Sequence, residues 1–311
     1  MQPFYWQSSH GNFGDDLNLW LWDFLLPGFR EVHPEVLLVG VGTVLSDALL
    51  SQPGPKLVLG SGCGYGALPD MSGPAWDIRC VRGPLTAERI GLPSDKGIVD
   101  PAVMVAEMPE FQGLPKCHAA IFVPHWESTR GGVWPLVCQT AGLTYVDPCG
   151  DAKAVIRAIA QARLVVAESM HAAILADAFR VPWVAVSTSD SINSFKWQDW
   201  AATGGVTYEP RRIPISSRAE AITKGARFWG IEFSGRAPPW ADDGSGGELA
   251  VRPDEGGSQL RLMAKQILAM PSVLGLWQAR KAKPQLSPDG LLDQRKERLR
   301  AVLDAVRRDY L

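Results

Sequence analysis

Short apolar runs alternate with segments of helical period through most of the chain. The runs are too short for typical helices and contain almost no polar residues, as is typical of strands buried on both sides of a parallel sheet. They lie at residues 36–40, 57–60, 78–81, 119–123, 164–167 and 183–186. The helical segments between them lie at 15–26, 85–90, 151–162 and 171–179. Strands and helices in alternation predict an α/β protein with parallel sheets.

A second series of strands begins after Leu114 and Pro115, which predicts a domain boundary at this point. Residues 1–115 and 116–234 are then expected to form two Rossmann-like domains, followed by an appendage at 235–311. Ligands of open α/β sheets bind beside the carboxyl ends of the strands. We therefore expect a cleft between the two domains, lined by the loops that follow the strands.

The appendage begins with a segment rich in Pro, Gly and acidic residues, at 235–257, which predicts a loose surface excursion. Helical runs follow at 258–270 and 291–311, and an apolar stripe on the second run predicts that it packs against the protein. Residues 258–311 contain eleven Lys or Arg and five Asp or Glu. Two interpretations stay open: a solvated helix face, or attraction to anionic membrane headgroups or a lipid diphosphate.

Charge and composition exclude several classes of protein. A formal net charge of −2 argues against a protein that binds a nucleic-acid backbone. The beginning of the chain lacks a basic and apolar signal peptide, and no apolar run approaches the roughly 20 residues of a membrane span. Five cysteines without a CxxC pair favour reduced thiols over disulfides or a zinc site. These features predict a cytoplasmic protein.

The most informative segment joins the apolar run at 164–167 to the helical segment that follows it. It places Glu168, Ser169 and His171 where a buried strand turns into a buried helix. A helix N-terminus presents unpaired N–H groups and partial positive charge, so an anion bound there would also meet a titratable imidazole. A carboxylate in this apolar setting should have a raised pKa, which would suit Glu168 to proton transfer.

A polar loop precedes the first helical segment. Asp15 is expected to cap that helix, and Asp16 follows it directly. Because two adjacent carboxylates would repel a phosphate, we assign this loop, with Asn12 and Gly14, to sugar hydroxyls. Asp15 or Asp16 would then act as a base. The alternative is that both acids only stabilise the helix end.

Other basic side chains also follow predicted strands or lie among aromatic residues. Arg82 ends a predicted strand and precedes a helix, where it is either a phosphate or carboxylate ligand or a surface residue. His125 follows another strand and should face the same cleft as His171. Lys196 lies in a segment with three aromatic residues, which is either core packing or a surface for stacking a sugar.

Taken together, five motifs in this order resemble the polysaccharide pyruvyltransferase family. They are Gly11-Asn12-Phe13-Gly14-Asp15-Asp16, Arg82-Gly83-Pro84-Leu85-Thr86-Ala87, Asp100-Pro101-Ala102, Pro124-His125 and Glu168-Ser169-Met170-His171-Ala172-Ala173. The resemblance covers roughly residues 7–200. Residues 195–200 look most like the members that pyruvylate bacterial exopolysaccharide units such as succinoglycan.

The resemblance implies a pair of Rossmann-type domains in a GT-B-like arrangement, with phosphoenolpyruvate as donor substrate and no metal or nucleotide cofactor. It implies that Arg82, His125 and His171 bind phosphoenolpyruvate. Many members have an Arg where this chain has Ser169, and Lys196 or another basic residue is expected to replace it.

The implied reaction transfers pyruvate as a ketal onto a sugar of a lipid-linked exopolysaccharide repeat unit. His171 or Glu168 would be the acid, and Asp15 or Asp16 the base. The expected partners are phosphoenolpyruvate and a lipid-linked oligosaccharide, with a peripheral contact at the inner membrane and no nucleic acid. Two alternatives stay open: a GT-B glycosyltransferase that uses a sugar nucleotide, which the fold alone allows, and a non-catalytic sugar-binding protein.

Overall fold

Parallel strands form two sheets in the computed structural model, which describes residues 1–49, 51–234 and 259–311, with the backbone alone for 259–263. The first sheet contains, in spatial order, β1 (Gln2–Phe4), β2 (Leu37–Val39), β3 (Lys56–Leu59) and β4 (Trp76–Cys80). The second contains β5 (Ile121–Val123), β6 (Thr144–Tyr145), β7 (Val165–Ala167), β8 (Trp183–Ser187) and β9 (Arg211–Arg212). Its spatial order is β6-β5-β7-β8-β9. A separate antiparallel hairpin consists of β10 (Arg227–Phe228) and β11 (Ile231–Glu232).

Helices connect the strands and cover the sheets. The α-helices are α1 (Leu21–Leu25), α2 (Pro84–Arg89), α3 (Trp134–Ala141), α4 (Ala152–Ala160), α5 (Met170–Ala178), α6 (Ser194–Gly204), α7 (Arg218–Lys224), α8 (Gln259–Arg280) and α9 (Leu291–Tyr310). Shorter 3₁₀ helices lie at Asp15–Leu19, Phe29–Glu31, Asp47–Leu49, Ser94–Lys96, Pro101–Glu107, Pro109–Phe111 and Trp126–Thr129.

The predicted α/β class with parallel sheets is confirmed, and each of the six apolar runs overlaps a strand. The sequence pattern does not reveal β1, β6 and β9, because these short strands lie at sheet edges and carry few apolar residues. The division into two domains at residue 115 and their GT-B-like arrangement stay predictions.

One predicted helix is interrupted. The segment 15–26 forms a 3₁₀ helix and then α1, with a break at Trp20. The buried side chain of Asn18 bonds to the backbone of Val41 instead of facing solvent. Its Nδ2 donates to the Val41 carbonyl at 3.0 Å, and its Oδ1 accepts from the Val41 N–H at 3.1 Å. These bonds fix the first helical turn to the end of β2.

One buried cluster spans both sheets. Leu57 of β3, Ile121 of β5 and Val165 of β7 belong to it, and alternate residues of the same strands point to the opposite faces. Helix α5 lies inside the cluster with all of its residues buried, which explains its apolar character on every side. The 3₁₀ helix Pro101–Glu107 packs against α5. The two halves of the chain therefore share a core around the helix that follows β7.

The two C-terminal helices pack on different parts of the protein. Helix α8 lies on α3 and continues through Pro271, past its predicted end, because an apolar stripe still faces α3. Helix α9 places Leu299 and Val306 in the shared core, as its pattern predicts. Among the described helices, none is both long and apolar enough to cross a membrane. The predicted excursion at 235–257 lies outside the described residues.

A buried ion pair joins the two halves. The Nε of Arg82 donates to Oδ2 of Asp199 at 3.2 Å, and both side chains are 0% exposed. The same carboxylate accepts from the N–H of Thr86 at 2.8 Å and from its hydroxyl at 2.6 Å. Arg82 also donates to the hydroxyl of Thr43 at 2.7 Å. Because buried charges are tolerated only when paired and hydrogen-bonded, this cluster fixes α2 against α6.

Replacing Asp199 by Ala should lower the free energy of unfolding by about 3–5 kcal/mol, because it leaves the Arg82 guanidinium buried without a charged partner. Chemical denaturation measures this loss. As a control, Asp289→Ala removes the partner of Arg180 at a carboxylate that is 99% exposed, and should cause no measurable change. Equal effects of the two substitutions would contradict the role of the buried pair.

Candidate active site

An open pocket of about 960 Å³ lies where loops from both halves of the chain meet. In the first half its lining includes β1 and residues 43–44, 46–48 and 51–52, and in the second half residues 125–127 and 169–171. Six of the predicted site residues line it: Asn12, Asp15, His125, Ser169, His171 and Lys196. Within the described residues, no group of three or more His, Cys, Asp or Glu is arranged to hold a metal ion.

Glu168 is completely buried at the end of β7 and accepts hydrogen bonds through both carboxylate oxygens. Its Oε1 accepts from the N–H of Thr188 at 2.9 Å, from the hydroxyl of Thr188 at 2.6 Å and from the ammonium of Lys224 at 2.9 Å. Its Oε2 accepts from the N–H of His125 at 3.0 Å and from the hydroxyl of Ser128. The carboxylate thus ties together the loops after β5 and β8, and α7.

These contacts determine the charge of Glu168. Burial by itself raises the pKa of this carboxyl, but Lys224 and the hydrogen bonds outweigh burial and lower the pKa to about 2. The raised pKa expected from the sequence is therefore wrong. An ionised carboxylate that lies outside the pocket lining is poorly suited to proton transfer, so Glu168 acts as an anchor for the residues around it.

His125 lies at the pocket with its Nδ1 3.4 Å from Oε2 of Glu127. Burial lowers the pKa of His125 against the raising effect of Glu127, and the charges of Lys196 and Lys224 lower it further. The imidazole is therefore neutral at pH 7. His125 can donate or accept a hydrogen bond in the pocket, but it does not add positive charge.

The N-terminus of α5 opens into the pocket. Ser169 occupies the N-cap position without a capping bond from its side chain, and Met170 and His171 line the pocket beside it. Lys196 of α6 lines the same pocket, and its ammonium donates to the hydroxyl of Tyr65 at 2.9 Å. Backbone donors, the helix dipole and a held cation together can bind a phosphate or carboxylate.

His171 lies between Asp100 and Gly14. Its Nε2 is 3.7 Å from Oδ2 of Asp100, and within the described structure both atoms are buried without a hydrogen-bond partner. The other oxygen of Asp100 accepts from the N–H of Ala102 at 3.0 Å, which fixes the carboxylate. An N–H at Nε2 of His171 would be a donor opposite the unpaired Asp100 oxygen. The pair can therefore hold a proton at Nε2.

Gly14 explains how the imidazole fits. A Cβ added to Gly14 would lie 1.9 Å from Nδ1 of His171. The backbone of Gly14 has φ −72° and ψ −45°, which any residue can adopt. Glycine is therefore needed at this position for the close approach of the ring and not for its backbone conformation.

The loop that carries Asp15 and Asp16 is held by hydrogen bonds among its own residues. Nδ2 of Asn12 donates to Oδ2 of Asp15 at 2.6 Å, and the N–H of Asn12 donates to Oδ2 of Asp16 at 3.2 Å. The expectation that Asp15 is the helix N-cap is wrong, because Gly14 occupies that position. Asp16 is turned into the loop, whereas Asp15 lines the pocket.

Asp15 has the pKa of a group that can exchange protons near neutrality. Burial is the main cause that raises the pKa of Asp15 to about 6, while His171 and Lys196 act in the opposite direction. Asp16 and Asp100 add to the increase. Of the two adjacent acids, Asp15 is thus the one placed to act as a base toward the pocket.

Four predicted site residues do not line the pocket: Gly14, Asp16, Arg82 and Glu168. Arg82 is neither a surface residue nor available for a ligand, because its guanidinium is fully buried against Asp199. Its predicted contact with a phosphate or carboxylate ligand is contradicted by this burial. Gly14 and Glu168 instead position the two histidines.

Three buried charged residues of this region were not predicted as site residues. Asp100 had a local signal, since an acid before Pro101 is typical of a helix N-cap. Asp199 and Lys224 had none, because their partners lie 117 and 56 residues away in the sequence. Trp197 and Trp200 are buried in the shared core, so these aromatic residues beside Lys196 are core packing and not a sugar surface.

Replacing Glu168 by Gln should lower the free energy of unfolding by about 3–5 kcal/mol at neutral pH, since Lys224 is left buried beside a neutral amide. The folded-state pKa of Glu168 is below its unfolded value. Its contribution is therefore complete above about pH 4.5 and is lost as the pH falls toward 2.

Urea denaturation at several pH values between about 7 and 3 measures both effects. The wild-type protein should lose stability more steeply toward acid than E168Q. Glu110→Gln, at a partly exposed ion pair with Lys153, should leave the slope unchanged. Parallel curves for the wild type and E168Q would contradict the ionised state of the buried carboxylate.

Comparison with known proteins identifies the family of this chain. The family model described as polysaccharide pyruvyl transferase matches residues 73–190, which include Asp100, His125 and His171. The chain is similar to a curated protein of Rhizobium meliloti (strain 1021) named succinoglycan biosynthesis protein ExoV. The two are 64% identical over 315 residues, with 100% of both chains covered. No solved structure matches the chain. With such identity along its full length, the chain belongs to the polysaccharide pyruvyl transferase family and is a transferase.

Proposed function

We propose that the protein transfers pyruvate from phosphoenolpyruvate, as a ketal, onto a sugar of a lipid-linked exopolysaccharide repeat unit. The name of the Rhizobium meliloti relative makes succinoglycan, or a similar exopolysaccharide, the proposed polymer. The observation that carries the proposal is the content of one pocket: an anion-binding helix end, a lysine, two histidines and a carboxyl of raised pKa. These are the groups that ketal formation from an anionic enol phosphate requires.

The donor carries a phosphate and a carboxylate, and the pocket offers two kinds of group for them. Lys196 is the one Lys or Arg among the described residues that line the pocket. Together with the first turn of α5 it would hold one anionic group of the donor. Neutral His125 would add a hydrogen bond. Lys196 thus takes the part of the Arg that Ser169 replaces.

Ketal formation needs a proton donor for the methylene carbon of the donor substrate and a base for the hydroxyl groups of the acceptor sugar. His171, protonated on both ring nitrogens with Nε2 facing Asp100, would donate the proton of Nδ1 to the methylene carbon of the enol, while the first sugar hydroxyl adds to the neighbouring carbon. Phosphate then leaves and the second hydroxyl closes the ketal, with Asp15 accepting a hydroxyl proton. Overall, one hydroxyl proton ends in the new methyl group and the other leaves with phosphate.

The remaining pocket would take the acceptor. Its volume of about 960 Å³ is at the upper end for small-molecule sites, so the donor leaves space for a sugar. Tyr65 and Trp126 line it and provide aromatic faces of the kind on which sugar rings pack. A lipid-linked acceptor would place the reaction at the cytoplasmic face of the inner membrane.

The donor is tested by incubating the protein with a lipid-linked oligosaccharide and either phosphoenolpyruvate or a sugar nucleotide. We expect phosphate release and a product heavier by one pyruvyl ketal with phosphoenolpyruvate alone. His171→Gln should reduce kcat by roughly 10²–10⁴-fold, the usual contribution of a general acid. A product that depends on the sugar nucleotide, or no product with either donor, would refute the proposal.

Gly14→Ala tests the position of His171 without altering either reacting group. The added methyl group would meet the imidazole, so the ring must move, and kcat should fall by about 10²-fold. Gly73→Ala is the matched control, because a Cβ there meets nothing within 4 Å, and its activity should equal that of the wild type. Both variants should keep the wild-type melting temperature to within a few degrees, and wild-type turnover by G14A would contradict the placement of His171.

A further inference from the structure

Helix α8 carries two apolar stripes, whereas a helix on the protein surface usually carries one. Its inner stripe, including Ala269, Leu276 and Ala279, is buried against α3 and the second sheet. A second stripe at helical spacing is exposed. It consists of Ile267, Met270, Leu274 and Trp277, which are 64%, 52%, 53% and 42% exposed.

The exposed stripe extends onto the hairpin β10–β11. The indole N–H of Trp229 donates to the carbonyl of Leu268 at 3.0 Å, which holds the hairpin beside the helix. Trp229 and Ile231 are 59% and 62% exposed. Helix and hairpin together carry seven of the eleven large hydrophobic side chains that are exposed among the described residues. Such a concentration of exposed apolar side chains is typical of an interaction surface, because single apolar residues scattered over a surface are common.

The charges around this surface indicate what covers it. Residues 258–288 contain five Lys or Arg and no Asp or Glu. Lys281 and Lys283, at the C-terminal end of the helix, are exposed, and the ammonium of Lys281 lies 3.4 Å from the ring centroid of Trp277. An apolar face with Trp277 near its end and exposed lysines beside it has the character of a helix that lies in the interface of an anionic bilayer.

The same charges argue against a second copy of the chain as the occupant. Two such faces would bring the cations of α8 together, and Glu232, the acidic side chain of the hairpin, is already paired with Arg227. Helix α9 differs, because most of its cations contact other groups of the protein. Arg300 binds Glu107, and Arg298 donates to the carbonyl of Asp95. The basic character of the C-terminal region is thus available to a partner mainly at α8.

We propose that α8 and the hairpin β10–β11 form a membrane-docking surface that binds an anionic phospholipid bilayer through the exposed apolar stripe and the flanking lysines. The inference rests on the proposed function, because a lipid-linked acceptor would place the substrate at a membrane. The helix would lie along the bilayer with its apolar stripe inserted, while α3 and the second sheet stay on the aqueous side.

Co-sedimentation of the full chain with lipid vesicles, in the absence of donor and acceptor, tests the docking surface. The wild type should bind vesicles of phosphatidylcholine and phosphatidylglycerol, and should bind more weakly at high salt or without phosphatidylglycerol. The double variant Leu274→Gln, Trp277→Gln should lose roughly tenfold or more in binding. The control Leu19→Gln, Phe24→Gln changes two exposed apolar residues of the first half and should bind like the wild type.

Lys281→Glu with Lys283→Glu provides a second test at exposed positions, and should remove the preference for anionic vesicles. Wild-type binding by both α8 variants, or no binding by the wild type, would overturn the proposal. A dimer in sedimentation velocity that the Leu274 and Trp277 substitutions dissolve would show that a second copy covers the face. Binding that appears only after deletion of residues 236–257 would show that the chain covers it itself.

Activity separates this inference from the proposed function. Ketal formation on a water-soluble oligosaccharide should be unchanged in the α8 variants, whereas ketal formation on a lipid-linked acceptor in vesicles should fall with vesicle binding. Vesicle binding without any transfer from phosphoenolpyruvate would refute the proposed function alone. Transfer from phosphoenolpyruvate without vesicle binding would refute the docking surface alone.

Discussion

The site depends on a single buried carboxylate. Glu168 has no access to solvent, so its charge must be neutralised by protein groups, and Lys224 with the donors around it supplies that neutralisation. The donors come from the loop after β5, the end of β8 and α7. Satisfying one charge therefore fixes three elements at the C-terminal ends of the strands. His125 and the first turn of α5 are placed as a consequence.

The two key carboxyls of the site owe their opposite behaviour to their surroundings. Glu168 and Asp15 both lose hydration, which raises the pKa of either group. Glu168 accepts hydrogen bonds from a buried ammonium, two hydroxyls and two backbone N–H groups, so its pKa falls to about 2. Asp15 has Asp16 and Asp100 nearby and no comparable set of donors, so its pKa rises to about 6. The first is a structural anion and the second a group that can carry a proton.

A similar division separates the cations. Arg82 and Lys224 are both buried in ion pairs that connect segments distant in the sequence, and they hold the architecture around the pocket. Lys196 lines the pocket itself. Its ammonium donates a hydrogen bond to Tyr65, and its charge lowers the pKa of Asp15. An arginine with five donors and a fixed planar shape suits the buried cluster of α2 and α6. A lysine beside a helix N-terminus can bind an anionic ligand.

The sequence by itself determined the α/β class, six strands of the two parallel sheets and the strand-to-helix turn with His171, because apolar runs and helical periods are local patterns. The motifs in order also indicated the family. Local patterns do not report which charges meet across the fold. Only the tertiary structure decided that Arg82 pairs with Asp199 and that Lys224 holds Glu168 ionised, since each partner lies far along the chain. Burial in a shared core then settled which of the predicted residues reach the pocket, because desolvated charges must find partners inside the protein before any can face a ligand.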